Sequence, residues 1–143
     1  MTLEEYKAKH EVIRKEENEL LDAYHEAQNK YRKKLKEEKE LQTALAEELL
    51  GVKVGENALF KTRQRGEPDG TTIIHIESLE ASVYKWDTEK DHISISFDGH
   101  RLKKDGTPSK SNADLVHETF PYGNTVIPEP SWYVQYIFVG KAE

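Results

Sequence analysis

Residues 3–50 read LEEYKAKHEVIRKEENELLDAYHEAQNKYRKKLKEEKELQTALAEELL, a run with no glycine and no proline, dominated by Glu, Lys, Leu, Ala and Gln. These residue types lose least on entering a helix, so the run predicts one long α-helix. Thr2 and Glu5 have capping-box spacing at its start, and Gly51 is a natural stop. At about 1.5 Å per residue such a helix extends ~70 Å. A domain built from the remaining residues is narrower than that, so part of the helix must project from it or pack on something else. The alternative is a helical hairpin folding back near Asn29 or around Lys36–Lys39, but neither place carries turn chemistry.

The apolar positions of the run form two interleaved heptad rows. One holds Tyr6, Ile13, Leu20, Ala27, Lys34, Leu41 and Glu48. The other holds Leu3, His10, Glu17, Tyr24, Tyr31, Glu38 and Leu45. The stripe is good from Tyr6 to Tyr31, broken at His10 and Glu17, and then slips toward Leu35, Leu45 and Leu49. A uniform coiled coil would hold its register longer. The pattern therefore predicts a divided helix. Tyr6, Ile13, Leu20, Tyr24, Ala27 and Tyr31 form a self-association face, and Leu41, Leu45, Leu49 and Leu50 dock on the following domain. The basic run Lys30, Arg32, Lys33, Lys34, Lys36 and Lys39 reads as a solvated face, tempered by Glu26, Glu37, Glu38 and Glu40.

From Val52 the period shortens. Ala58–Arg63 predicts a first strand and 65–70 a turn built on Pro68-Asp69-Gly70. Thr71–Leu79 and Ser82–Trp86 read as a second and third strand. His92–Phe97 is a fourth, with Ile93, Ile95 and Phe97 inward. Asp98-Gly99 reads as a turn, followed by a short strand at Arg101-Leu102 and a polar, mobile loop at 103–112. Ala113–Phe120 fits a short helix or a strand. Ser131–Val139, apolar or aromatic on both faces, is the strongest strand and reads as central or barrel-closing. The expected fold is α+β: a helix over 1–51, then a small antiparallel β-barrel or sandwich of five to six strands over 52–143.

The chain has 143 residues, a net charge of −6 and no cysteine. The charge divides evenly between helix and remainder, which disfavours a basic nucleic-acid-binding arm. Without cysteine there is no disulfide, thiolate metal site or cysteine nucleophile. No signal peptide is read at the N-terminus and no apolar run reaches membrane-spanning length, so a soluble, cytoplasmic protein that does not engage a membrane is expected. P-loop, dinucleotide, EF-hand and nucleophile-elbow motifs are absent. The six histidines (His10, His25, His75, His92, His100 and His117) show no metal-ligand spacing, and no cofactor is expected.

Two features suit a binding surface. One is the aromatic group Trp86, Trp132, Tyr133 and Tyr136, with Tyr84 and Tyr122 near. The other is the loop carrying Arg101, Lys103, Lys104 and Lys110. Trp86, Tyr122 and these four cations form the candidate partner surface. The leading expectation is a non-catalytic interaction protein, not an enzyme. It forms a homodimer through the helix and offers the β-domain to a protein partner, as an accessory or inhibitory factor from a phage or mobile element would. The alternative is nucleic-acid association through Lys30–Lys39 and Arg101–Lys110. A third is a small-ligand pocket at the mouth of the barrel, lined by His75, His92 and Trp86.

Overall fold

The computed structural model describes residues 1–85, 91–123 and 134–142. Among these residues there is one α-helix, α1 (Leu3–Leu50), followed by strands β1 (Asn57–Arg63), β2 (Gly70–Lys85), β3 (Asp91–Arg101), β4 (Leu115–Pro121) and β5 (Gln135–Lys141). The class is α+β, as the sequence implies. The chain divides into two compact units, Met1–Glu38 and Lys39–Glu143. The last three turns of α1 therefore belong with the sheet.

α1 is unbroken, so there is no hairpin. The Thr2 hydroxyl accepts from the Glu5 amide at 3.2 Å, and the Thr2 carbonyl accepts from the Tyr6 amide at 3.1 Å. At the other end Gly51 adopts φ 71° and its amide donates to the Glu47 carbonyl at 2.9 Å, the left-handed cap that glycine accepts without strain.

The strands form one antiparallel sheet in the order β4-β3-β2-β1-β5. Ala58, Phe60, Ile74, Ile76, Leu79, Ala81, Ile95, Phe97 and Val116 are buried on its inner face. The sheet is strongly curled. Phe60 and Phe97, separated by β2, stack at 4.7 Å, and Phe120 of β4 reaches Phe138 of β5 at 6.4 Å. Rings from the two edge strands thus meet on the inner face. The backbone ladder itself stays open, so among the described residues the architecture is a single curled sheet and closure into a barrel is not seen.

Ala46 is fully buried, and Leu45 and Leu50 pack against the same cluster. Leu41, read as a docking residue, is 72% exposed. At roughly 100° per residue it lies about 140° around the helix from Ala46, on the far side.

Three strand assignments change. Thr71–Leu79 and Ser82–Trp86 are one 16-residue strand, at least as far as Lys85. A β-bulge lies within the first of them: Ile76 faces Gly99 and Ser78 faces Asp98, leaving Glu77 as the extra residue, and the ladder then runs unbroken through Glu80 and Ala81. Asp98-Gly99 is no turn, because β3 continues through it to Arg101. β5 is an edge strand, paired only with β1 among the described residues. The ambiguous segment resolves into a 3-10 turn, Asn112–Asp114, and then β4.

Gly99 is required by close approach, since a Cβ there would sit 2.3 Å from the His75 carbonyl oxygen and 2.6 Å from Ile74 Cγ2. Gly99→Ala is expected to destabilise the β-unit by about 1–3 kcal/mol, the usual range for overpacking. A thermal melt of the variant checks this, and an unchanged midpoint would refute it.

Candidate functional site

The first candidate surface lies on α1 within Met1–Glu38. Tyr6, Ile13, Leu20, Tyr24, Ala27 and Tyr31 fall within an arc of about 60° at 3.6 residues per turn. All are exposed, with Leu20 at 72%, Tyr31 at 63% and Tyr24 at 60%. Three charges on the same heptad rows, Glu17, Lys34 and Glu38, border or interrupt this arc. Of the basic run, Lys30 pairs with Glu26 at 3.5 Å and Lys34 with Glu37 at 3.0 Å. Further along α1, Lys39 pairs with Glu80 of β2 at 3.5 Å. Half of that run is thus already matched by carboxylates.

The second surface belongs to the β-unit. The inner alternation Ile95, Phe97, Gly99 carries Arg101 inward too. Its guanidinium donates to the Tyr136 hydroxyl and lies 5.7 Å from the centre of that ring. Arg101 is therefore half-buried and separated from Lys103, Lys104 and Lys110, which remain exposed. Their loop is not featureless. The Lys103 amide donates to the Thr107 carbonyl at 2.7 Å, and Asp105 Oδ1 accepts from both the amide and the hydroxyl of Thr107. The buried Ser109 hydroxyl donates to Asp114 at 2.6 Å. Tyr122 is 40% exposed, and its hydroxyl reaches the Leu49 carbonyl at 3.5 Å. Trp86, Trp132 and Tyr133 lie outside the described residues.

The sequence reading missed a polar ladder across the outer face. His75 of β2 faces His100 of β3 in register. His75 Nδ1 bonds Asn57 Oδ1 at 2.8 Å, and His100 Nδ1 bonds the bulged Glu77 at 2.5 Å. Ser78 donates to Asp98 Oδ2 at 2.9 Å, while Asp98 Oδ1 meets His117 Nδ1. Serine, aspartate and histidine come together here, but with the carboxylate in the middle. Asp98 accepts the Ser78 hydroxyl hydrogen, and among the described residues no imidazole is bonded to that hydroxyl, the reverse of the order that activates a serine nucleophile. Among the described residues no group of three or more His, Asp or Glu is placed to hold a metal ion.

Burial pushes the Asp98 carboxyl up, but the hydrogen bonds from His117 and Ser78 and the imidazolium charge outweigh it and hold it below its ordinary value. The hydrogen bond to Asp98, aided by its charge, raises His117 above its ordinary value. The raised imidazole stabilises the fold below 6.5 and loses that contribution as pH rises through its folded value. The lowered carboxyl stabilises above 3.8 and loses its contribution as pH falls through its folded value. The stability difference between wild type and His117→Ala should therefore be largest between about pH 3.8 and 6.5 and shrink on both sides. Urea titrations at several pH values measure it; a pH-independent difference would exclude the coupling.

Glu118, adjacent to His117, faces inward from edge strand β4, where burial raises its carboxyl. An inward charge on an edge strand disfavours pairing with a further strand. A cleft of about 420 Å³ opens between Thr62, Gln64, Glu67, Pro68, Gly70, Thr72, Arg101 and Val134. It does not involve His75, which is on the outer ladder, or His92, which stacks on Tyr84 at 5.8 Å. Among the described residues no helix is long and apolar enough to cross a membrane. No protein-family model, curated protein or solved structure matches the chain.

Proposed function

We propose that this chain is a non-catalytic accessory protein that self-associates through the N-terminal helix and offers its β-unit to a protein partner. One observation carries the reading: the exposed apolar stripe Tyr6–Ile13–Leu20–Tyr24–Tyr31, on a helix whose Met1–Glu38 portion has no core of its own. Exposed apolar surface of that extent and regularity calls for a partner. A second copy brings a matching stripe, and symmetric dimers are the commonest oligomers. The outer ladder around His75, His100 and His117, together with Lys103, Lys104 and Lys110, supplies a polar surface for the partner. The test is the mass of the intact chain by light scattering across micromolar concentrations. Twice the 16.5 kDa chain mass is expected. A monomer throughout that range would overturn the reading.

A further inference from the structure

We infer that the dimer seam is antiparallel, with Glu17 of one copy paired to the partner's Lys34. This rests on the self-association reading above and adds its orientation and register. The seam rows within Met1–Glu38 carry three charges at core positions: Glu17, Lys34 and Glu38. In a parallel, in-register pair each faces its own copy, giving Glu17–Glu17, Lys34–Lys34 and Glu38–Glu38 layers. Like charges held together in a seam are costly once water is withdrawn.

In an antiparallel pair the two rows face each other, so each layer joins a residue from one row to a residue from the other. One alignment sets Glu17 against the partner's Lys34, and by symmetry Lys34 against the partner's Glu17. The same alignment sets Leu20 against the partner's Tyr31. At the centre it sets Tyr24 against the partner's Ala27, a large side chain against a small one. Ile13 and the partner's Glu38 form the end layers, where a carboxylate can reach water. The layers from Ile13 to Glu38 lie inside the helical unit; Tyr6 and His10 fall outside them.

Shifting by one heptad either way destroys the match. One shift places Glu17 against Ala27 and Lys34 against His10; the other places Glu17 against Leu41 and Lys34 against Tyr24. Each leaves both charges without an opposite charge across the seam, Lys34 keeping only its own-chain pair with Glu37 at 3.0 Å. The like-charge flank of the favoured alignment, Glu16 beside the partner's Glu37, sits at the rim, where salt screens it. The interruptions that spoil a uniform parallel coil thus become the specificity device of an antiparallel one.

Two experiments on the full chain test this. The first is charge exchange read by sedimentation equilibrium. Glu17→Lys alone and Lys34→Glu alone should each raise the dimer dissociation constant about tenfold, two partly exposed pairs being reversed in sign. The double exchange should restore it. A parallel in-register seam would show no such rescue, because each position then meets only itself. The second uses the absence of native cysteine. A mixture of Ile13→Cys and Glu38→Cys chains should form a disulfide-linked heterodimer under mild oxidation, while Ile13→Cys alone should not cross-link. Cross-linking of Ile13→Cys to itself, or a dimer indifferent to charge exchange, would overturn the antiparallel register and leave self-association standing. Absence of any dimer would overturn both.

Discussion

Phe97→Ala is expected to cost the β-unit about 3–5 kcal/mol, the usual loss for truncating a buried phenylalanine. Phe97 is 1% exposed. It stacks on Phe60 at 4.7 Å and meets Phe120 edge-on at 6.1 Å, so it joins β1 to β4 across the curl. It also lines the apolar interior closed by Leu50, Val52 and Phe138. Few neighbours can collapse into the gap, because those on either side are themselves buried rings and branched side chains. A domain of this size has a total stability of about 5–15 kcal/mol, so the variant should lose a large part of its margin. Urea unfolding measures the effect, with Val139→Ala as reference. Val139 is 57% exposed, and its truncation should fall within about 0.5 kcal/mol. A Phe97→Ala loss below about 1 kcal/mol would contradict the placement of this ring at the centre of the core.

Much of this architecture is written in local chemistry. α1 keeps the limits that its lack of glycine and proline implies, with Thr2 and Gly51 in their capping roles. The alternation Ile93, Ile95, Phe97 gives the inner face of β3. The same alternation, carried two and four residues further, reaches Gly99 and Arg101, and would have shown Arg101 as an inward side chain. Reading Asp98-Gly99 as a turn cut that count short. The error has a cause: a glycine needed for close approach to the bulged strand is indistinguishable in sequence from one needed for a turn. The bulge at Glu77 shifts the alternation of β2, so Ile74 and Ile76 share the inner face with Leu79 and Ala81, an odd number of residues on; the division read at Glu80-Ala81 falls instead in unbroken ladder. The outer ladder was not legible at all. Ser78, Asp98 and His117 are about twenty residues apart from one to the next, and only strand register joins them. The helical stripe was legible because its residues are neighbours through helical period alone.

That stripe supports the second large effect. Leu20→Glu with Tyr24→Glu should leave the chain monomeric at concentrations where the parent is a dimer. Leu20 and Tyr24 are 72% and 60% exposed in the single chain, so neither contributes to a core that the substitution could disturb. Glutamate is a good helix former, and the helicity cost is only tenths of a kcal/mol. Seam formation would bury each side chain in both copies. At about 1.5 kcal/mol or more per apolar side chain, reduced for incomplete burial, the dissociation constant should rise at least about 100-fold. Lys15→Glu with Lys33→Glu is the control, and it makes the larger change in charge. It adds negative charge in the same unit, on positions roughly opposite the stripe at 3.6 residues per turn. The control should remain a dimer and both variants should keep the parent far-UV circular dichroism. If Leu20→Glu/Tyr24→Glu stays dimeric, the stripe is not the seam. If the control dissociates equally, general charge repulsion rather than a specific apolar face governs assembly. Only loss of the dimer in the first variant alone ties association to the face that Leu20 and Tyr24 share.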